Sequence, residues 1–359
     1  MTWLVVQGGD RSIGASQGHL EVKVRGTLVQ RLSLDRLDVL LLEGPVQVSA
    51  AARRLLLRGG VETTFLNGRG EMLGRLVGSE ARGGVIRLAQ ARTALDLTRR
   101  LQIAASFVAG KIHNQYVALR RAHRFTPTEA GADALATLRA LRDRAPSATT
   151  LPELMGIEGF AARTWFSFFP LALRNPDFAW TGRNRRPPRD PVNAALSFLY
   201  TVLCSATDAA ARRAGLDPAF GLLHETGRGK PACALDLAEE WRPLVDGTVL
   251  GLINRRQLGP GDFCNPEIRP DPVGEPFDED PLVANATEET AADPHPAVHL
   301  SASGRRIVLA AWNQRLRGRV RYPPLDARFE LQEVIRLQAR QLAAAVQAEV
   351  PTYVPWRHA

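Results

Sequence analysis

Five residues carry the types and spacings that chemistry needs: Glu158, His224, Asp236, Glu239 and Arg242. Two carboxylates and an imidazole, brought together from separate segments, can hold a divalent cation beside a phosphodiester. If residues 235–242 are helical, Asp236 and Glu239 share one face at i and i+3, and Arg242 extends that ridge by three. Metal, scissile phosphate and a cation then share one surface. His224 precedes the glycine-rich turn Gly227-Arg228-Gly229-Lys230-Pro231, which lets the chain double back onto that helix. Glu158 comes from another helix, the one opening with Pro152-Glu153. One imidazole with carboxylate oxygens suits Mn²⁺ or Mg²⁺ and leaves positions for water and phosphate. Isolated acids and histidines more often form surface pairs or cap helices, so these residues alone leave both readings open.

Two other motifs fail. Gly227-Arg228-Gly229-Lys230 lacks the first glycine of a phosphate loop, where His224 stands, and Pro231 replaces its Ser or Thr. His224-Glu225 begins like a zinc-hydrolase signature, but Arg228 occupies the place of the second histidine.

The elements that must position these residues fall into two textures. Residues 19–24 alternate polar and apolar, Arg25-Gly26 can turn, and Thr27-Leu28-Val29 can return, which predicts a hairpin. Residues 37–42 read as a buried strand, Ser49 as the N-cap of a helix over 50–58 closed by Gly59-Gly60, and 61–66 with Asn67-Gly68 as a second hairpin. From Gly83-Gly84 the apolar spacing becomes helical. Helices are predicted over 88–124, 127–143, 152–169, 192–214, 235–252 (broken at Pro243) and 329–346. The expected architecture is α+β: a small, mostly β N-terminal domain over 1–83, then a larger all-α catalytic domain over 84–359. Residues 266–296 hold seven prolines and few large apolar residues, which predicts an exposed acidic loop.

The 359 residues are 45% hydrophobic and 23% charged, ordinary for a chain with a substantial core. Cys204, Cys233 and Cys264 form neither a disulfide framework nor a zinc knuckle, which fits a reducing cytoplasm. Met1 to Gly8 turns polar and lacks a basic start, so no secretory signal is expected. The run 194–206 is too short to span a bilayer and contains Ser197, Tyr200, Thr201 and Ser205, so it reads as a buried core helix. No membrane association is expected. The net charge of +9 points to a polyanionic partner. Residues 266–296 hold nine acids against Arg269 alone, leaving +17 elsewhere. The cations cluster as Arg99, Arg100, Lys111, Arg120, Arg121 and Arg124, then as Arg183, Arg185, Arg186 and Arg189, around Glu158 in sequence. Either run is a solvated face or a phosphate-contacting surface.

Wording around the candidate ligands adds a resemblance. Leu154-Met155-Gly156-Ile157-Glu158-Gly159, Gly221-Leu222-Leu223-His224 and Asp236-Leu237-Ala238-Glu239-Glu240-Trp241-Arg242-Pro243 come in the order of three ligand blocks. Lys111-Ile112-His113-Asn114-Gln115, residues 190–200 and residues 44–49 add further pieces. The ordered series resembles the metal-dependent integrase of CRISPR adaptation, which inserts spacers into a CRISPR array. That resemblance implies 3′-hydroxyl attack on a phosphodiester at a repeat boundary. It implies Glu158, His224 and Glu239 as catalytic metal ligands for Mg²⁺ or Mn²⁺, with Asp236 supporting them. Arg242 is the implied phosphate contact, and Arg183, Arg185 and Arg186 are candidate phosphate contacts from their clustering in sequence. Double-stranded DNA, a homodimer and a small ferredoxin-like companion are the implied partners. Asn114 and Asn193 are expected to hold the helical core. The chain departs from the pattern in having Glu239 where part of the family has aspartate, Ala232 for serine and Trp241 for phenylalanine.

Two alternatives stand beside the integrase: a catalytically inactive DNA-binding subunit, and a transposon-type integrase acting on its own element ends. The latter usually carries an extra DNA-reading module, and none is evident over 329–359.

Overall fold

A computed structural model of the chain describes residues 3–34, 37, 39–67, 72–78, 83–184, 188–227, 230–265 and 297–358. The expected loop over 266–296, together with Arg185 and Arg186, lies outside the described residues.

The N-terminal part holds two four-stranded sheets. In one, β1 (Trp3–Gln7), β5 (Val39–Glu43) and β7 (Glu62–Leu66) run parallel and β8 (Met72–Leu76) joins antiparallel. In the other, β2 (Arg11–Ser16), β3 (His19–Val24) and β4 (Thr27–Ser33) form a meander, and the short β6 (Gln47–Val48) pairs parallel with β2. The two-residue turns Gln17-Gly18 and Arg25-Gly26 have positive φ throughout, 49° and 75°, then 49° and 81°, which suits tight hairpins. α1 (Ala50–Gly59) starts where Ser49 accepts from the Ala52 N–H at 3.1 Å and ends on left-handed Gly60.

Every residue of β5 is buried, as expected of a strand covered on both faces. Leu40 and Leu42 pack into the β-region core with Val6, Ile13, Leu20 and Leu56, while Val39 and Leu41 join the core of the helices. Buried charge crosses the same boundary, where Arg75 pairs with Asp208 and Arg305 with Glu43, and exposed Arg213 donates to the Gly60 carbonyl at 2.6 Å.

The rest of the chain is predominantly helical: α2 (Gly84–Leu95), α3 (Leu97–His123), α4 (Glu129–Arg144), α5 (Leu151–Ala172), α6 (Pro191–Arg213), α7 (Ala232–Glu239), α8 (Arg242–Asn254), α9 (Ala302–Leu316) and α10 (Leu331–Val346). Two short ribbons interrupt it: β9 (Phe263–Cys264) with β10 (His299–Leu300), and β11 (Arg319–Tyr322) with β12 (Ala327–Glu330). Asp96, Thr128, Thr150, Asp190 and Ser301 each cap a helix by accepting a backbone N–H. The Asp96 cap divides the helix expected over 88–124 into α2 and α3. The break expected at Pro243 falls earlier, at Glu240 and Trp241. Pro243 sits in the first turn of α8, where its missing N–H costs nothing.

α6 corrects the expected length of the apolar run. It spans 23 residues and is long and apolar enough to cross a membrane, but 72% of its most apolar window is buried inside the fold. That burial is what a core helix shows.

Candidate active site

His224 is held by one carboxylate. Asp236, on α7, accepts the backbone N–H groups of Leu222 (2.5 Å), Leu223 (3.0 Å) and His224 (2.9 Å), and the imidazole Nδ1 lies 2.7 Å from its Oδ1. A buried acid with four donors fixes the loop and the ring together. With Nδ1 against Asp236, the other ring nitrogen, Nε2, lies 3.9 Å from Glu239 Oε1. Gly221 makes the bend possible, since a Cβ there would meet the His224 carbonyl at 2.4 Å and Ala232 at 2.6 Å. Arg100 locks the loop from α3, donating to the Leu222 carbonyl and to Glu225, both at 2.8 Å.

Glu239 closes α7, with 4% of its side chain exposed. Arg242 Nε, on the first turn of α8, lies 2.8 Å from Oε1, and Lys111 Nζ, on α3, lies 2.5 Å from Oε2. Burial opposes ionisation of Glu239, yet Arg242 and Lys111 outweigh it and bring its pKa down to about 2. Lys111 also pairs with Glu158 on α5, whose side chain is 21% exposed. Burial opposes the charge on Lys111, but Glu239 and Glu158 together raise its pKa, so it stays an ammonium.

Glu158 and Glu239 therefore meet on Lys111, a residue not predicted for the site, and His224 stands beside Glu239. Among the described residues no three His, Cys, Asp or Glu side chains stand close enough to hold one metal ion together. Lys111 bridges Glu158 and Glu239 instead. The donor set nonetheless fits a hard divalent cation. It offers two carboxylates, a ring nitrogen turned toward one of them, and a buried Glu239 Oε2 that accepts no aligned hydrogen bond.

Arg242 and Arg183 reach the site through Tyr200 on α6, with guanidinium carbons 4.9 Å and 5.3 Å from its ring centroid. The Tyr200 hydroxyl donates to buried Asp246 on α8, which also accepts from Trp165 Nε1 at 2.8 Å. Arg183 spends its N–H groups inward, on the Asn184 carbonyl, on Asn193 Oδ1 at 2.6 Å and on Ser197 Oγ at 3.2 Å.

Three members of the first cationic cluster are likewise spent inside the fold rather than on a shared face. Arg99 donates to the Ala345 carbonyl at 2.7 Å, Arg100 holds the His224 loop, and Lys111 is buried between carboxylates. Lys111 had a signal in the sequence. It is the first charge after an uncharged stretch from Leu101 to Gly110, and a lysine on so apolar a helix needs a carboxylate partner.

Behind the site, Glu240 faces away from Glu239 and anchors the C-terminal segment. It accepts from the Trp356 N–H at 2.5 Å, from Gln338 Nε2 at 3.0 Å and from the Tyr353 hydroxyl. Trp356 stacks on Trp241, centroids 4.4 Å apart and planes 7° from parallel. Asn114 donates to the Glu240 carbonyl at 2.8 Å and accepts from the His358 N–H at 2.7 Å, the core-holding part expected of it. Asn193 likewise bonds to the Gly182 carbonyl and Asp190. A cavity of about 1250 Å³ opens beside this segment, lined by Arg121, Trp165, Arg315 and His358, and Glu158, His224 and Glu239 do not line it.

Comparison with known proteins follows the same lines. The family described as CRISPR associated protein Cas1 matches residues 4–268. A CRISPR-associated endonuclease Cas1 of Rhodospirillum rubrum is 34% identical over 349 residues, covering 94% of this chain and 93% of the relative. One from Thermus thermophilus is 32% identical, covering 99% and 94%. A Cas4 exonuclease/Cas1 endonuclease fusion, also of Rhodospirillum rubrum, is 35% identical over 95% of this chain, which spans 55% of the fusion's length. Among solved structures, a Cas1 protein from Thermotoga maritima shares the fold at a TM-score of 0.75 and 20% identity, over 97% of both chains. A casposase bound to its integration product does so at 0.80 and 21%, over 100% of this chain and 95% of that one. The chain belongs to the Cas1 family of CRISPR-associated endonucleases.

Proposed function

We propose that this protein is a metal-dependent DNA integrase and endonuclease of CRISPR adaptation, joining short duplexes at repeat boundaries. The observation that carries the reading is the convergence of Glu158 and Glu239 on one cation, Lys111, with Asp236-oriented His224 turned toward the same Glu239. Paired acids and a pre-oriented imidazole are what phosphodiester chemistry asks of a protein.

Glu158, His224 and Glu239 are the residues to hold Mg²⁺ or Mn²⁺, which when bound polarises the phosphate and activates the attacking 3′-hydroxyl. Asp236 fixes the imidazole so that Nε2 faces the reaction centre. Arg242, held against Tyr200 and beside Glu239, supplies positive charge where the phosphorane gains negative charge. Ion pairing with Arg242 and Lys111, against the opposing effect of burial, keeps Glu239 ionised across the physiological range.

Double-stranded DNA is the substrate, and the net charge of +9 supports a polyanionic partner. Arg185 and Arg186 join Arg242 as the proposed phosphate contacts. Arg183 acts through Tyr200. A homodimer assembled through the β-rich part, residues 1–83, and a small ferredoxin-like companion complete the proposed assembly. A solved Cas6-RT-Cas1–Cas2 complex contains a region 27% identical to this chain at a TM-score of 0.76, covering all of this chain and 36% of that one, which supports a companion protein. Three free cysteines suit a reducing cytoplasm.

The test is joining of a labelled duplex with free 3′-hydroxyls into a supercoiled plasmid bearing a repeat. Joined product is expected with Mn²⁺ and the companion, and none with chelator or with His224→Ala. Salt-sensitive DNA binding without joining would establish the inactive DNA-binding subunit instead.

A further inference from the structure

The inference concerns Lys111 and rests on the reading of Glu158, His224 and Glu239 as cation ligands. Lys111 is buried on α3, with 8% of its side chain exposed, and its ammonium touches both Glu158 and Glu239. A carboxylate pair converging on one point is repulsive without a cation between them. The fold places that cation on its own chain. The contact to Glu239 Oε2 is a close ion pair without the alignment of a hydrogen bond, and Glu158 lies at the solvent-facing side of the pair. Lysine carries its point charge on a flexible four-carbon stem, so the ammonium can leave this position without the backbone moving.

We propose that Lys111 is an exchangeable counter-cation: it fills the gap between Glu158 and Glu239 in the metal-free protein and is displaced when a divalent ion enters. An ammonium and a dication compete for the same two carboxylates, because their mutual repulsion adds to the loss of the ammonium's partners. Lys111 is thus a positioning residue. It keeps the ligands preformed without metal, and it competes with the ion for them.

The experiment uses the full chain with Lys111→Met, close in length and uncharged, and Lys111→Arg, which keeps the charge. Mn²⁺ affinity is read from the electron paramagnetic resonance of free Mn²⁺, and thermal melting is recorded in EDTA and in Mn²⁺. Lys111→Met is expected to melt below wild type in EDTA, to regain the difference in Mn²⁺, and to bind Mn²⁺ with a Kd lowered about tenfold or more. Lys111→Arg is expected to bind Mn²⁺ no more tightly than wild type. A Lys111→Met protein with wild-type or weaker Mn²⁺ affinity, or one misfolded with and without Mn²⁺ alike, would overturn the proposal. Glu239→Gln separates the two levels. If wild type binds Mn²⁺ and Glu239→Gln does not, the ligand reading stands whatever Lys111→Met shows. If neither binds it, the ligand reading itself fails, and the Lys111 proposal with it.

Discussion

Asp236 and His224 are joined twice, through the imidazole Nδ1 at 2.7 Å and through the histidine's own backbone N–H at 2.9 Å. One carboxylate therefore sets both where His224 sits and which nitrogen it presents. Asp236→Asn keeps the shape but brings an NH₂ group against donors, so the ring loses its fixed tautomer. Joining activity is expected to fall roughly 10–100-fold, as for other residues that orient a ligand. Circular dichroism should show the fold retained while single-turnover rates fall.

Tyr200 connects the site to the core, stacking with Arg242 while donating to Asp246. Burial raises the Asp246 pKa to about 6, against the lowering effect of the Tyr200 and Trp165 donors. Tyr200→Phe keeps the ring and removes one donor. Urea denaturation should show a loss of about 1–3 kcal/mol, the usual cost of leaving a buried polar group short of a partner. Because the ring still backs Arg242, Tyr200→Phe should retain more activity than Tyr200→Ala.

Glu240 gives a prediction in pH. Burial outweighs its hydrogen bonds from Tyr353, Trp356 and Gln338 and raises its pKa from 4.5 to about 8. An acid whose folded pKa is raised binds more protons folded than unfolded. Its stabilising contribution is complete below pH 4.5 and is lost as pH rises toward 8. Melting temperatures of wild type should therefore fall across that window relative to Glu240→Gln, which has no proton to lose. Parallel profiles for the two proteins would exclude a protonated Glu240.

Much of this arrangement was legible in the sequence, and what was not has identifiable causes. Ser49 announced the helix start it caps, and Arg25-Gly26 the turn it makes, because caps and tight turns are local chemistry. Asp236 and Glu239 could be put on one face by spacing alone. Asp96 was missed as a cap because the apolar spacing continues on both sides of it. Lys111 read as part of a cationic surface because neighbours in sequence are not neighbours in space: its partners lie 47 and 128 positions away. The Glu240 anchor was invisible for the same reason, since Tyr353 and Trp356 follow no periodic pattern.

Arg75 tests the coupling between the β-rich part and the helices. It reaches from β8 to buried Asp208 on α6 and stands 3.7 Å from Glu62, while Arg212 meets the same Oδ2 of Asp208 at 2.9 Å. Arg75→Met leaves Asp208 with Arg212 alone and Glu62 without its arginine. Denaturation should show a loss of about 3–5 kcal/mol, the cost of stripping one partner from a buried pair. An unchanged midpoint would mean that Arg75 does not hold the boundary and that Arg305–Glu43 and the apolar contacts of Val39, Leu41 and Leu66 do.

The central claim is that Glu158, His224 and Glu239 form one metal-using DNA-joining centre, and strand transfer by a Glu239→Gln variant tests it most directly. The substitution keeps size and helix but removes the charge on which Lys111 and Arg242 converge. With labelled duplex, repeat-bearing plasmid, companion protein and Mn²⁺, wild type is predicted to give joined product and Glu239→Gln none, while both bind DNA equally. Wild-type levels of joining by Glu239→Gln would contradict the account.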